Sequence, residues 1–144
     1  PDDYAHVPEN FVKLADMVLA HSPECRIILE HTWGYRKEDC KGFKTVENFN
    51  NMLREGCTTI AALKNAEISH IGDAFIAVDT KELGNSLHAS DDHHQSYYGS
   101  YLKACVNYLM ITGEPFNEKV ANCGIDPQKA EILRKAAEKT VLGE

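Results

Sequence analysis

A chain of 144 residues, 43% hydrophobic and 26% charged, can bury one modest core without disulfide or metal staples, and this composition excludes a disordered or collagen-like polypeptide. Fifteen basic against 22 acidic side chains give a formal charge of −7 and no basic stripe, so nucleic acid is not an expected partner. No run of 18 apolar residues is present to span a membrane, and the five cysteines, Cys25, Cys40, Cys57, Cys105 and Cys123, form no C-x-x-C pair, so they read mostly as buried thiols rather than a zinc or disulfide framework.

The chain opens at Pro1 without a charged-then-apolar leader, and the compartment is not legible from this start. From Asn10 to His21, Phe11, Leu14, Ala15, Val18 and Leu19 recur at three- and four-residue steps between Pro8 and Pro23, which predicts an amphipathic helix. Arg26 to Trp33 is a short β-branched and apolar run before Gly34, the pattern of a strand buried on both faces. A polar loop through Gly42 leads to a second helix over Val46 to Asn65, with Val46, Phe49, Met52, Leu53, Ile60 and Leu63 as its inward stripe. A second strand is predicted at Ile68 to Ile71, stopped by Gly72-Asp73 and followed by the helix-compatible stretch Ala74 to Leu83.

In open α/β sheets ligands gather beyond the carboxyl ends of the strands, and the loop from Gly84 to Ser96 is expected to follow that geometry. Ser96 can cap a helix from Tyr97 to Thr112 that stops at Gly113, and Pro127 opens a final helix running to Val141. Helices alternating with short strands predict a parallel sheet covered by helices. Two strands fall short of the four to six of a typical sheet, so residues 1–144 are expected to be one portion of a larger α/β domain.

Chemistry concentrates in His88, Asp91, Asp92, His93 and His94. As a plain polar loop this cluster needs no function. As a metal site, His88, His94 and an Asp have the right ligand types, but adjacent His93 and His94 do not converge easily and no H-E-x-x-H spacing exists. The third reading places Asp91 and His94 at i and i+3 on a turn, where the carboxylate holds one imidazole nitrogen and the other takes a proton from a serine. Gly84-Asn85-Ser86-Leu87 imitates a nucleophile motif only eight residues before His94 and is read as a decoy, while Ser90 and Ser96 suit a turn and a helix cap. Trp33 and Tyr35 either wall a pocket or pack in the core, and Tyr97, Tyr98 and Tyr101 are expected to pack their rings. His31 and His70, at strand positions, read as satisfied core histidines.

Asp91-x-x-His94, a small polar residue two places on, Gly99 and an amphipathic helix resemble the last conserved block of the SGNH/GDSL serine hydrolases. The resemblance extends through His31-Thr32-Trp33-Gly34-Tyr35, Ile71-Gly72-Asp73-Ala74-Phe75 and Gly99-Ser100-Tyr101-Leu102-Lys103-Ala104-Cys105, toward a bacterial SGNH-like esterase subgroup. Where that family often has Gly after the Asp and Pro after the His, this chain has Asp92 and Gln95. The resemblance implies a three-layer α/β/α, flavodoxin-like fold of which residues 1–144 form the C-terminal part. It implies an ester hydrolase acting on small-molecule or carbohydrate esters, with Asp91 orienting and His94 as general base, and with no cofactor and no metal. The family's nucleophilic serine block is absent from these residues. A non-catalytic binding or assembly module that keeps the half-fold, as a homo-oligomer or beside a missing amino-terminal half, is the alternative.

Overall fold

The computed structural model describes residues 6–36, 42–117 and 119–143. Among them the order is α1 (Val7–His21), β1 (Ile28–Glu30), α2 (Val46–Ala62), β2 (Glu67–Ser69), α3 (Ile71–Ala77), α4 (Thr80–Leu83), α5 (Tyr97–Thr112) and α6 (Pro127–Val141). β1 and β2 pair in parallel, Leu29 opposite Ile68, in a two-stranded sheet. The protein is therefore a mixed α/β chain in which helices outweigh the sheet.

Helices defined by local capping fall where the sequence puts them. The Ser96 hydroxyl accepts the Gly99 amide and Gly113 closes α5 in a left-handed conformation, while Asp126 caps α6 just before Pro127. The strands are shorter than their apolar runs, because strand length is set by a partner rather than by composition. β1 has two half-buried residues and an exposed Glu30, so it is not covered on both faces. The second strand ends at Ser69, and Ile71, Gly72 and Asp73 form the first turn of α3 instead of a strand end. Gly72 is there for closeness: a Cβ on it would lie 2.2 Å from Asn50 Oδ1 and 2.5 Å from the Thr32 carbonyl oxygen. The expected Ala74–Leu83 helix is two helices, since Val78 is extended and Asp79 caps α4.

The core lies between α3, α5 and α6, where Ile71, Leu83, Leu102, Val106, Leu109 and Leu133 are closed to solvent. Arg26 ties the start of β1 to the carboxyl end of α5, with both Glu67 oxygens at 2.8 Å and the Met110 and Ile111 carbonyls at 2.7 and 3.0 Å. Glu30 closes the other end of β1 against Lys103 and Asn107 of α5.

The opposite side is open. In α1 only Ala15 is buried, while Leu14 and Met17 are 63% and 64% exposed and an Asp16–Lys64 ion pair links the helix to the end of α2. Of the predicted inward stripe, Ala15 is buried and Phe11 and Leu19 are half-buried, while Leu14 and Val18 are exposed. The cysteines also depart from expectation: Cys105 is buried, Cys57 half-buried, and Cys25 and Cys123 are exposed. Cys40 lies outside the described residues. No helix is long and apolar enough to cross a membrane among the described residues.

Candidate active site

The segment between α4 and α5 is built like a folded hairpin. His88 and Gln95 form an isolated antiparallel bridge, the Ala89 amide donates to the His94 carbonyl at 2.8 Å, and the Ser96 amide donates to Leu87 at 2.8 Å. At its tip, Asp91 Oδ1 accepts the amides of His93 and His94, both at 3.0 Å, which makes an Asx turn. That turn swings the His94 ring back onto the same carboxylate. His94 Nδ1 donates to Asp91 Oδ2 at 2.6 Å. Among the described residues His94 Nε2 has no protein partner, and the ring is 71% exposed.

The backbone of Asp92 sits at φ +58°, the left-handed region. A glycine is favoured there for steric reasons, and Asp is one of the few side chains that tolerate it. The turn accordingly closes with an aspartate where a glycine would be the easy choice, and Asp92 is held by Arg36, whose amide donates to its carbonyl at 2.9 Å and whose guanidinium lies 3.5 Å from its carboxylate.

Asp91 is pulled well below the ordinary carboxylate range, first by the His94 side-chain hydrogen bond and then by the two amides. It therefore stays ionised at neutral pH. His88 is different: buried, it has its Nε2 2.9 Å from the Gly34 carbonyl, and burial is the main cause lowering its pKa. A neutral ring committed to a backbone carbonyl is a wall of the loop. It does not join His94 in a ligand set.

Three residues outside the Asp91–His94 pair position it. Trp33 stacks on Phe75 at 4.7 Å between centroids and donates its indole N–H to the His93 carbonyl at 2.9 Å. Tyr35 sets its ring edgewise against His93 at 3.8 Å. Gly99 lets the first turn of α5 press on the hairpin, since a Cβ would meet the Leu87 carbonyl oxygen at 2.2 Å and Phe75 at 2.9 Å. The aromatic residues after β1 were visible in sequence, but their target, 60 positions away, was not.

Ser86 and Ser96 are otherwise engaged. Ser86 donates to the His88 carbonyl at 2.8 Å and accepts from Arg36 at 2.7 Å, as a turn-forming hydroxyl does. Ser96 caps α5 and donates to the Ser86 carbonyl. No hydroxyl among the described residues is hydrogen-bonded to His94. A cleft of about 350 Å³ beside the hairpin is lined by Arg36, Phe75, Ser86 and His88, without Asp91 or His94 in its wall. Of the tyrosines, Tyr101 is buried with its hydroxyl between Arg134 and Ala121 and Tyr98 packs at the core's edge. Tyr97, against expectation, is 61% exposed and donates its hydroxyl to the Cys123 carbonyl.

No protein-family model and no curated protein matches the chain. A solved structure of a DUF4886 family protein from Bacteroides uniformis is similar to it, with a TM-score of 0.70 over 94% of this chain at 19% identity. This likeness concerns the fold. The chain spans 57% of that protein's length.

Proposed function

We propose that the chain is the acid–base portion of an SGNH-type serine ester hydrolase, with Asp91 and His94 as the pair that activates a serine carried by another segment. The observation that carries this reading is the Asp91–His94 contact of 2.6 Å, together with the two amides that fix the other carboxylate oxygen. An ionised Asp91 accepting from Nδ1 leaves the Nε2 lone pair of His94 facing outward. In that state Nε2 takes the proton of a serine hydroxyl as its oxygen attacks an ester carbonyl, and the imidazolium is stabilised by Asp91. The same proton then goes to the departing alkoxide, and a water repeats the sequence to release the acid.

The sheet supports the wider architecture. Two parallel strands of three residues each, with no strand beyond either edge among the described residues, would be the central piece of a three-layer α/β/α sandwich once further strands flank them. Those strands would also cover the exposed Leu14 and Met17 side of α1. In this reading the remaining strands, the nucleophile and the donors for the oxyanion come from the same additional segment. Acyl or acetyl esters, including those on carbohydrates, are the substrate class that the family resemblance suggests.

Hydrolysis of p-nitrophenyl acetate tests the proposal, with the 144-residue chain and with the gene product that includes its neighbouring coding sequence. The short chain alone should show no turnover above buffer, and the longer protein should lose at least about 10³-fold in kcat/KM on His94→Ala. Strong activity of the short chain that survives Ser86→Ala would overturn the assignment. Loss of that activity with Ser86→Ala would instead make Ser86 the nucleophile.

A further inference from the structure

The residue just past β1 carries a chemical inconsistency that the hydrolase reading does not use. His31 is wholly closed to solvent, and its Nε2 lies 3.3 Å from the Asn50 backbone carbonyl. A carbonyl oxygen only accepts, so Nε2 carries the hydrogen and Nδ1 presents a bare lone pair. Among the described residues no hydrogen-bond partner reaches that Nδ1. What it faces is Asp73 Oδ2, 3.9 Å away, another electron-rich atom. The same oxygen is 3.1 Å from Nδ1 of His70.

We propose that His31, His70 and Asp73 form a binding site for one divalent transition-metal ion of the zinc class. Two imidazole nitrogens and one carboxylate oxygen lie within 4.8 Å of one another. Tetrahedral coordination with bonds of about 2.0–2.1 Å separates neighbouring ligand atoms by about 3.3–3.4 Å, so the 3.1 and 3.9 Å distances to Asp73 Oδ2 bracket what the ion requires. The nitrogen-rich set selects zinc, cobalt or nickel over magnesium and calcium, which prefer all-oxygen shells. Three protein ligands leave a fourth position for water.

The surroundings are those of a supported metal site. Asp73 Oδ1 is held by the Asn50 amide at 2.9 Å and by Arg54 at 3.2 Å, which aims Oδ2 at the two histidines. The Asn50 carbonyl fixes the His31 tautomer as outer-shell acceptors fix metal-binding imidazoles. Burial lowers the His31 pKa, so its ring is in the neutral form that ligates. Gly72 completes the cradle, since a Cβ there would lie 2.8 Å from His31 Cε1. Bound metal would pin the end of β1 to the first turn of α3. This inference is independent of the esterase reading.

Chelator-stripped protein titrated with Zn²⁺ by calorimetry, and with Co²⁺ by visible absorption, tests it. We expect one ion per chain, a tetrahedral Co²⁺ spectrum without thiolate charge-transfer bands, a rise in Tm on saturation, and no competition from Mg²⁺ or Ca²⁺. His70→Ala should weaken binding at least about 100-fold, the upper end of the cost of losing even an outer-shell partner, whereas His94→Ala should leave it within a factor of about two. His70 is partly exposed, so its replacement should preserve the fold as read by circular dichroism. Asp73→Asn is the second variant and should also abolish tight binding. Absence of Zn²⁺ binding, or binding that persists in both variants and is lost with His94→Ala or on thiol alkylation, would overturn the proposal.

Discussion

The two sides of this molecule are held by different means. On one side α3, α5 and α6 enclose a continuous apolar core and clamp the hairpin that carries Asp91 and His94. On the other, α1 leaves Leu14 and Met17 in solvent, and a two-stranded sheet has no strand beyond either edge among the described residues. The difference teaches where self-sufficiency ends: the helical side completes its own burial, and the sheet side presents surface that another layer would complete.

Thiol chemistry should show the largest contrast. Burial pushes the Cys105 thiol in α5 up to about 12 from an ordinary 9, a thousandfold smaller thiolate fraction at neutral pH, while Cys25 beside β1 is exposed. Iodoacetamide mapped by mass spectrometry should label Cys25 at least about 10³ times faster than Cys105. Comparable rates would mean that the helical core opens as readily as the sheet side. Next in size, Trp33→Ala should cost about 3–5 kcal/mol in a denaturant melt, because it removes both the Phe75 stack and the bond to His93.

Gly99→Ala should cost about 1–3 kcal/mol, the usual range for overpacking, by forcing α5 off the Leu87 carbonyl. If it were neutral, the hairpin would not be clamped as described. Asp91→Asn is a smaller and pH-dependent test. The folded pKa of Asp91 is depressed, so its stabilising contribution is present above the ordinary carboxylate value of 3.8 and is lost as pH falls through the lower folded value. The Asn variant should therefore flatten the acid limb of a Tm-against-pH curve and leave the curve near pH 7 displaced only slightly, since the pair is exposed. At the bottom of the scale, Leu14→Ala should change stability by no more than about 0.5 kcal/mol in this chain. A loss of 2 kcal/mol or more would show that α1 is covered after all.

Legibility followed the range of the forces involved. The ends of α5 and α6 were readable because Ser96, Gly113 and Pro127 act within their own turns. The Asp91–His94 approach was readable for the same reason, since an Asp at i and a His at i+3 on a turn meet without outside help. Strand limits were not, because Ile27, Trp33 and Ile71 have strand-favouring side chains but no partner in the register. The reading of His31 as a satisfied core histidine failed on geometry, as its Nδ1 faces Asp73 rather than a donor.

The sequence by itself determined the long helices and the caps of α5, the acidic charge of the chain and its lack of a long apolar run, and the residues of the turn between α4 and α5. Only the tertiary structure decided that Trp33 and Tyr35 hold that turn, that Leu14 and Val18 of the α1 stripe lie open, and that His31, His70 and Asp73 converge. The reason is physical. Capping and turn hydrogen bonds reach a few residues along the chain, whereas convergence of side chains from the end of β1 and the start of α3 depends on strand pairing and helix packing, which no local pattern encodes.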